Sequence, residues 1–248
     1  MSIYEREKEY VNLLSAGDYT VKELAQKLYI SEPTVRRDII LMKEKELVTC
    51  NRGRVRLKRN VADKRIPLLI RDCEQMEEKQ IIAAKAASYI QDGDVIMLDA
   101  STSAQCLIPH LARRKDIFVI TNGARTALQL AAFGIKTICT GGELTTESFS
   151  YIGPDAERTL EGYHADIAFF SCRGLNAEGI ASDNSIMENS IRRIMIARAK
   201  ASYLLCDSSK LGATYLNTLC DTSGISGVIC DIPLHERGCK RTPLSTWR

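Results

Sequence analysis

The segment Thr20–Thr49, TVKELAQKLYISEPTVRRDIILMKEKELVT, constrains the fold of this chain more than any other stretch. Its spacing predicts two short helices joined by a tight turn. Thr20 followed by Glu23 is a capping box: the hydroxyl accepts from a first-turn amide and the carboxylate reaches back to the cap amide. Ser31 caps the second helix, and Pro33 is tolerated in its first turn because the missing N–H has no partner there. Val21, Leu24, Ala25 and Leu28 recur at helical spacing, as do Val35, Ile39 and Met42, with Ile40 and Leu47 beside them. Both stripes are expected to bury against an earlier helix carrying Tyr10, Val11, Leu13 and Leu14. The second helix is left presenting Glu32, Thr34, Arg36, Arg37 and Lys43. A helix-turn-helix with two guanidinium groups at its mouth suits duplex DNA. Its N-terminal residues (Ser31, Glu32, Thr34, Arg36, Arg37) are placed to meet base edges in the major groove or phosphates.

The next ten residues, CNRGRVRLKR from Cys50 to Arg59, hold five basic residues and no acid. Arg52-Gly53-Arg54 reads as a hairpin tip, with Val55 and Leu57 alternating with Arg54, Arg56 and Lys58. This predicts the wing of a winged helix, its Arg52, Arg54 and Arg56 aimed at phosphates or the minor groove. Residues 1–60 carry 13 Lys+Arg against 9 Asp+Glu, whereas the remainder carries 21 against 22. The overall charge of +3 is thus an excess confined to one end, the electrostatic footprint of nucleic-acid binding.

At 248 residues the chain accommodates one small and one medium domain. The boundaries expected are 1–58 for the DNA-binding winged helix, 59–70 for a linker, 71–233 for a second domain and 234–248 for an irregular tail. Beyond the linker the pattern alternates. A long helix is expected over Asp72–Ile90, with Ile81, Ile82, Ala86 and Tyr89 as its stripe. Strands follow at Val95–Leu98, Ile117–Ile120, Thr137–Thr140, Ala165–Ser171, Tyr203–Cys206 and Val228–Cys230, with helices at Ala104–Leu111, Ala124–Phe133 and Ile186–Ala199. Short unbroken apolar strands alternating with helices mean an α/β fold with a mostly parallel sheet covered on both faces.

The polar residues of this second domain gather where strands end, which is where open α/β sheets bind ligands. Ser101-Thr102-Ser103 opens a helix and offers hydroxyls, free amides and a positive dipole end to an anion. Lys210 supplies a countercharge. Asp99, Asn122 and Asp207 are candidates for sugar hydroxyls. Thr121 and Gly123 flank Asn122 in a turn after the second strand, and Gly141-Gly142 allows close backbone approach to a ligand.

Nine cysteines are scattered through apolar segments. Cys73, Cys106, Cys139 and Cys172 are evenly spaced, but their flanks do not resemble each other and no repeat is inferred. No C-x-x-C pair and no Cys/His cluster of zinc spacing occurs, so reduced, mostly buried thiols and no metal or other cofactor are expected. No apolar run approaches the ~18–20 residues of a membrane span and no signal peptide precedes the charged N-terminus, so a cytoplasmic protein is expected.

Seven segments, in order along about residues 3–232, resemble the DeoR/GlpR family of bacterial transcription regulators. They are I-S-E-P-T-V-R-R-D-I (Ile30–Ile39), K-Q-I-I-A (Lys79–Ala83), L-D-A-S-T-S (Leu98–Ser103), T-N-G (Thr121–Gly123), T-G-G-E (Thr140–Glu143), Y-I-G-P (Tyr151–Pro154) and D-S-S-K (Asp207–Lys210). The resemblance implies a C-terminal effector domain similar in fold to ribose-5-phosphate isomerase, a phosphorylated sugar as effector, and repression of a sugar or nucleoside catabolic operon. Binding to a palindromic operator implies at least a homodimer, with recognition helices ~34 Å apart. Two features depart from the family. The wing has Asn51-Arg52-Gly53-Arg54 where the family often has a histidine and two glycines, and Leu234–Arg248 does not look like the family's terminus.

Two other functions compete. A sugar-phosphate isomerase with an accessory DNA-binding domain needs a base over the substrate C–H. Asp99, Asp207, Glu143 and Glu188 qualify by type, whereas His110, His164 and His235 lie outside the strand-end turns. A pure interaction module predicts no small-molecule binding. The regulator reading, without catalysis, is the expectation carried forward.

Overall fold

The computed structural model describes residues 3–45, 47–58, 71–72 and 74–233. The expected linker at 59–70 and tail at 234–248 lie outside the described residues. The chain forms two compact units, Met1–Met76 and Glu77–Arg248.

The first unit begins with α1 (Ile3–Ala16), β1 (Tyr19–Thr20), α2 (Val21–Leu28) and α3 (Glu32–Glu44), and closes with strands β2 (Val48–Asn51) and β3 (Arg54–Leu57). Both predicted caps form: Thr20 N donates to Glu23 Oε2 at 2.7 Å while Glu23 N donates to Thr20 Oγ1, and Thr34 N donates to Ser31 Oγ. Tyr10, Val11, Leu14, Leu24, Val35, Ile39, Met42 and Val55 build one core. Ile40 departs from expectation: it is 57% exposed, because one helical step of about 100° past Ile39 carries it off the buried stripe. Asp38 was not singled out in the sequence, yet it is buried and holds α1 to α3. Arg6 Nε and Nη2 donate to its two oxygens at 2.8 and 2.9 Å, and Tyr10 Oη donates at 3.2 Å.

The second unit is a three-layer α/β domain. Helix α4 (Met76–Ala87) leads into a six-stranded parallel sheet of β4 (Val95–Leu98), β5 (Phe118–Thr121), β6 (Lys136–Cys139), β9 (Ala165–Ser171), β12 (Ala199–Leu205) and β14 (Gly227–Ile229). Their order is β14-β12-β9-β4-β5-β6. The chain therefore starts in the middle, winds one way through β5 and β6, then returns past β4 to wind the other way. The reversal lies between β4 and β9. Alternating residues feed opposite faces: Ile96, Leu98, Val119 and Phe169 pack with α4, while Met97, Ile120 and Ala168 pack with α8 (Pro154–Glu161) and α9 (Ile186–Arg198).

Several boundaries differ from expectation for local reasons. The helix predicted from Asp72 begins at Met76, because Gln75 adopts a left-handed φ of 55°. Ile81 points away from the buried face of α4 and is 46% exposed. The helix predicted over Ala104–Leu111 is two, α5 (Thr102–Gln105) and α6 (Ile108–Leu111). Pro109 lacks the N–H that Gln105 C=O would accept from, and its ring clashes with that carbonyl, so the break falls there. Helix α7 (Ala124–Ala132) and β12 follow expectation within a few residues, although Cys206 lies beyond the strand. Periodicity did not show the β7–β8 hairpin (Glu143–Leu144, Tyr151–Ile152), α8, or a small antiparallel sheet of β10 (Gly174–Leu175), β11 (Ile180–Asp183) and β13 (Asn217–Asp221). Their strands are two to five residues long and are held by non-local pairing. Among the described residues no helix is long and apolar enough to cross a membrane.

Candidate functional site

The DNA-facing candidates lie on α3 and the β2–β3 hairpin. Ser31 caps α3 and its Oγ lies 2.8 Å from Thr34 Oγ1, so both hydroxyls are engaged at the helix mouth. Arg36 forms an exposed i,i+4 pair with Glu32 at 3.4 Å. Arg37 is exposed and makes no ion pair among the described residues. The hairpin turns on Arg52 (φ 47°) and Gly53 (φ 78°), two consecutive left-handed residues between Asn51 and its partner Arg54. This is the geometry a two-residue loop needs, and it explains Gly53. Val55 and Leu57 face the core while Arg54 and Arg56 face out, as alternation required. The structure adds a distinction among the wing arginines. Arg54 Nη2 donates to Asp18 O at 3.1 Å and lies 3.6 Å from Glu23, and Arg56 Nη2 donates to Asp18 Oδ2 at 2.6 Å. Arg52 at the tip carries no such pair among the described residues.

In the second unit the carboxyl ends of β4, β5, β9 and β12 bring the other candidates to one edge. Asp99 sits at the reversal point of the sheet. Its Oδ1 accepts from Ser101 N at 3.1 Å, and its Oδ2 accepts from Ser171 N at 3.1 Å and Arg192 Nε at 3.0 Å. Both oxygens are thus spent on protein partners, and Asp99 ties the β4 turn to the end of β9. Asp207 is engaged as well, with Ser209 Oγ donating to one oxygen and Lys210 Nζ 3.0 Å from the other. Lys210 Nζ also donates to Ser171 Oγ at 2.9 Å. Burial works against both charges of this pair, but mutual attraction prevails: the Asp207 carboxyl is held below its ordinary value and the Lys210 ammonium above its own. Lys79, buried on α4, adds to the field on Asp207.

Ser101 Oγ accepts from Ala104 N at 3.1 Å and caps α5, and Thr102, the first residue of that helix, is buried. Thr121 Oγ1 accepts from Gly123 N at 3.0 Å, and Asn122 Nδ2 donates to Tyr151 O at 3.1 Å. Among the described residues, Ser103 Oγ, Asn122 Oδ1 and Thr126 Oγ1 are buried without a hydrogen-bond partner. All three sit on the segments leaving the adjacent strands β4 and β5. Thr126 Oγ1 stands 2.5 Å from the position a Gly123 Cβ would take, and Ala100 Cα 3.0 Å from it, so the two turns are in direct apposition. Gly141 faces open space, whereas a Cβ on Gly142 would stand 2.6 Å from Ile152 O. Gly142 therefore serves packing against β8, and Gly141 alone has the room for close approach.

The residue sequence reading missed is Arg192. It is buried on α9 and donates to Asp99, to Asp183 Oδ2 at 2.9 Å, to Asn189 Oδ1 at 3.2 Å and to Glu188 Oε2 at 3.4 Å. Burial opposes its charge, but Asp183, Asp99 and Glu188 raise its pKa regardless. Glu188 in turn accepts from Ser148 Oγ and, at 2.8 Å, from Ser150 Oγ, and its carboxyl is held low against burial by Arg192 and these hydroxyls. Arg173 approaches Asp183 at 3.5 Å. The i,i+4 spacing of Glu188 and Arg192 was the one local signal for this network; nothing local points to Asp99 or Asp183 as partners. Among the described residues no group of His, Cys, Asp and Glu is arranged to hold a metal ion.

Two families match the chain: the DeoR-like helix-turn-helix domain over residues 6–61 and the DeoR C-terminal sensor domain over residues 74–232. The protein belongs to the DeoR family. It is a DNA-binding transcription regulator with a sensor domain, and not an enzyme. It is 33% identical over 243 residues to an uncharacterized HTH-type transcriptional regulator, YulB, of Bacillus subtilis, covering 97% of this chain and 93% of that one. It is 27% identical to a lactose phosphotransferase system repressor of Staphylococcus epidermidis, with 93% of each chain covered. Among solved structures, the translation initiation factor eIF-2B of Pyrococcus horikoshii OT3 shares the fold at 14% identity and a TM-score of 0.50, covering 95% of this chain and 92% of that one. Ribose-5-phosphate isomerase A of Methanocaldococcus jannaschii overlaps 54% of the regulator and 53% of its own length, at 20% identity and a TM-score of 0.41.

Proposed function

We propose that this regulator is a cytoplasmic repressor of a sugar catabolic or uptake operon, released from its operator when a phosphorylated sugar occupies the carboxyl edge of the parallel sheet. In this reading residues 1–58 read DNA and residues 71–233 sense the effector. The observation that carries the ligand assignment is the set of unpartnered buried atoms Ser103 Oγ, Asn122 Oδ1 and Thr126 Oγ1, beside a turn that also presents Ser101 and Thr102. A buried polar atom left unpaired costs about 1–3 kcal/mol, so a polyhydroxylated ligand that pairs such atoms gains what the free protein lacks. Lys210, one-fifth exposed at the same edge, supplies the charge for a phosphate. Asp99 and Asp207 act by holding Ser171, Arg192 and Lys210 in place, and Gly141 gives the ligand backbone access. The relative named as a lactose phosphotransferase system repressor supports a sugar-linked role. On the DNA side, Ser31, Glu32, Thr34, Arg36 and Arg37 approach the major groove and Arg52 leads the wing, in at least a dimer that matches two half-sites.

Effector binding can shift operator affinity only by its differential affinity for the two states of the protein. The test is a thermal-shift screen of the full chain against phosphorylated sugars and polyols, with the free sugars as controls. At ~100 times its dissociation constant a ligand stabilises its site by ~2.7 kcal/mol. A phosphate-dependent hit that also releases operator DNA supports the reading. Lys210→Ala is expected to keep DNA binding and to lose roughly 10- to 150-fold in effector affinity, the worth of one charge-assisted contact of ~1.5–3 kcal/mol. A Lys210→Ala chain that responds at the unchanged concentration removes Lys210 from the site.

A further inference from the structure

The wing carries two arginines on its outer face together with the groups that order them. Strand β3 is the middle strand of a three-stranded sheet, with β1 on one side and β2 on the other. Tyr19 stands opposite Val55 and Thr20 opposite Arg54. One step further along this antiparallel register, Asp18 faces Arg56, and Arg56 Nη2 donates to Asp18 Oδ2 at 2.6 Å. Arg54 Nη2 donates to the Asp18 carbonyl at 3.1 Å and lies 3.6 Å from Glu23 Oε2, which already accepts from Thr20 N in the capping box of α2. Asp18 thus meets both arginines, with different atoms. It lies in the short link between α1 and β1, outside any helix.

Val55 and Leu57 are buried on one face of β3, which leaves Arg54 and Arg56 together on the other, each half-exposed. A guanidinium has five N–H donors, and Asp18 takes one from each arginine. The other donors of Arg56 make no hydrogen bond among the described residues, so its fork is anchored at one corner and open at the rest. Counted with Asp18 and Glu23, the two arginines carry no net charge. Their value to a polyanion therefore lies in where their forks point rather than in the field they add. Ordering a long side chain on binding costs affinity, and a planar fork already held by a facing carboxylate has less freedom to lose.

We propose that Asp18 is a positioning residue for DNA binding: its carboxylate holds the Arg56 fork, and its carbonyl steadies Arg54, in the orientation that meets the phosphate backbone beside the wing. Asp18 acts through the arginines and makes no contact of its own with the duplex. The sign of its effect separates this role from simple electrostatics. A carboxylate beside DNA phosphates repels them, so charge alone predicts that removing it tightens binding. Positioning predicts the reverse. The inference rests on the DNA-binding role of the winged helix and does not require the effector reading.

The test is fluorescence anisotropy of the full-length chain with a labelled duplex that the wild-type protein has selected from a random-sequence library. Asp18→Ala should weaken binding by about 2- to 10-fold, the cost of ordering one long side chain. Asp18→Asn, whose amide oxygen still accepts from Arg56, should fall between Asp18→Ala and wild type. The Arg54 contact uses the backbone carbonyl and survives both substitutions. Arg56→Met should weaken binding and lower the salt slope by about one. In the Arg56→Met background Asp18→Ala should cost nothing further, because the fork it positions is gone, whereas a loss caused by misfolding would persist there. Equal or tighter binding by Asp18→Ala, an unchanged salt slope in Arg56→Met, or an undiminished effect of Asp18→Ala in the Arg56→Met background would each overturn the proposal.

Discussion

Replacing Arg192 by methionine should be among the most damaging single changes in the sensor unit. The side chain has similar length and no charge, so packing is roughly conserved while four hydrogen bonds at 2.9–3.4 Å disappear. Asp99, Asp183 and Glu188 are left as a cluster of buried carboxylates whose nearest remaining cation among those described is Arg173, 3.5 Å from Asp183. Removing one partner from a buried ionic group costs about 3–5 kcal/mol. At about 2–4 °C per kcal/mol for a unit of this size, the midpoint should fall by about 6–20 °C. The loss should also depend on pH, and its sign follows from linkage. In the native protein Asp183 and Glu188 are held below their ordinary values, so their contribution is present above about pH 4 and is lost as pH falls through the lowered native values. Without Arg192 the largest part of that contribution is lost, so the two proteins should converge in acid. Hydrogen exchange read on peptides from β4 and α9 isolates the sensor unit from the DNA-binding unit. Arg192→Lys, which keeps the charge but not the planar fork, should fall between. A loss below about 0.5 kcal/mol, the level of an ordinary surface change, or one equal at pH 7 and at about pH 2, would refute the reasoning.

Other changes separate the remaining roles. Arg37→Ala should weaken operator binding and lower the salt slope by about one, with effector affinity unchanged, as read by anisotropy across a salt series. Unchanged binding at physiological salt would take Arg37 out of the interface. Gly142→Ala should cost about 1–3 kcal/mol in a thermal melt, since φ is +107° and the new Cβ would stand 2.6 Å from Ile152 O. Asp38→Ala should destabilise the DNA-binding unit by about 1.5–3 kcal/mol, because Arg6 and Tyr10 lose a shared charged acceptor, and denaturant titration of that unit would expose a neutral outcome.

What the sequence by itself determined was local. The Thr20–Glu23 capping box, the Ser31 cap and the Arg52-Gly53 turn each close within four residues, so residue type alone specifies them. The central strands were legible because burial on both faces demands unbroken apolar runs, and their alternation with helices implied a parallel sheet with polar turns at its carboxyl edge. Only the tertiary structure decided how those turns are used. Arg192 meets Asp99 across 93 residues, and Lys210 meets Ser171 across 39, pairings that no periodicity records. The same holds for Arg54 and Arg56, whose spacing marks them as outward-facing but not as neighbours of Asp18. Caps and stripes are short-range consequences of backbone geometry, whereas a buried charge network exists only once the crossovers have brought distant strand ends to one edge.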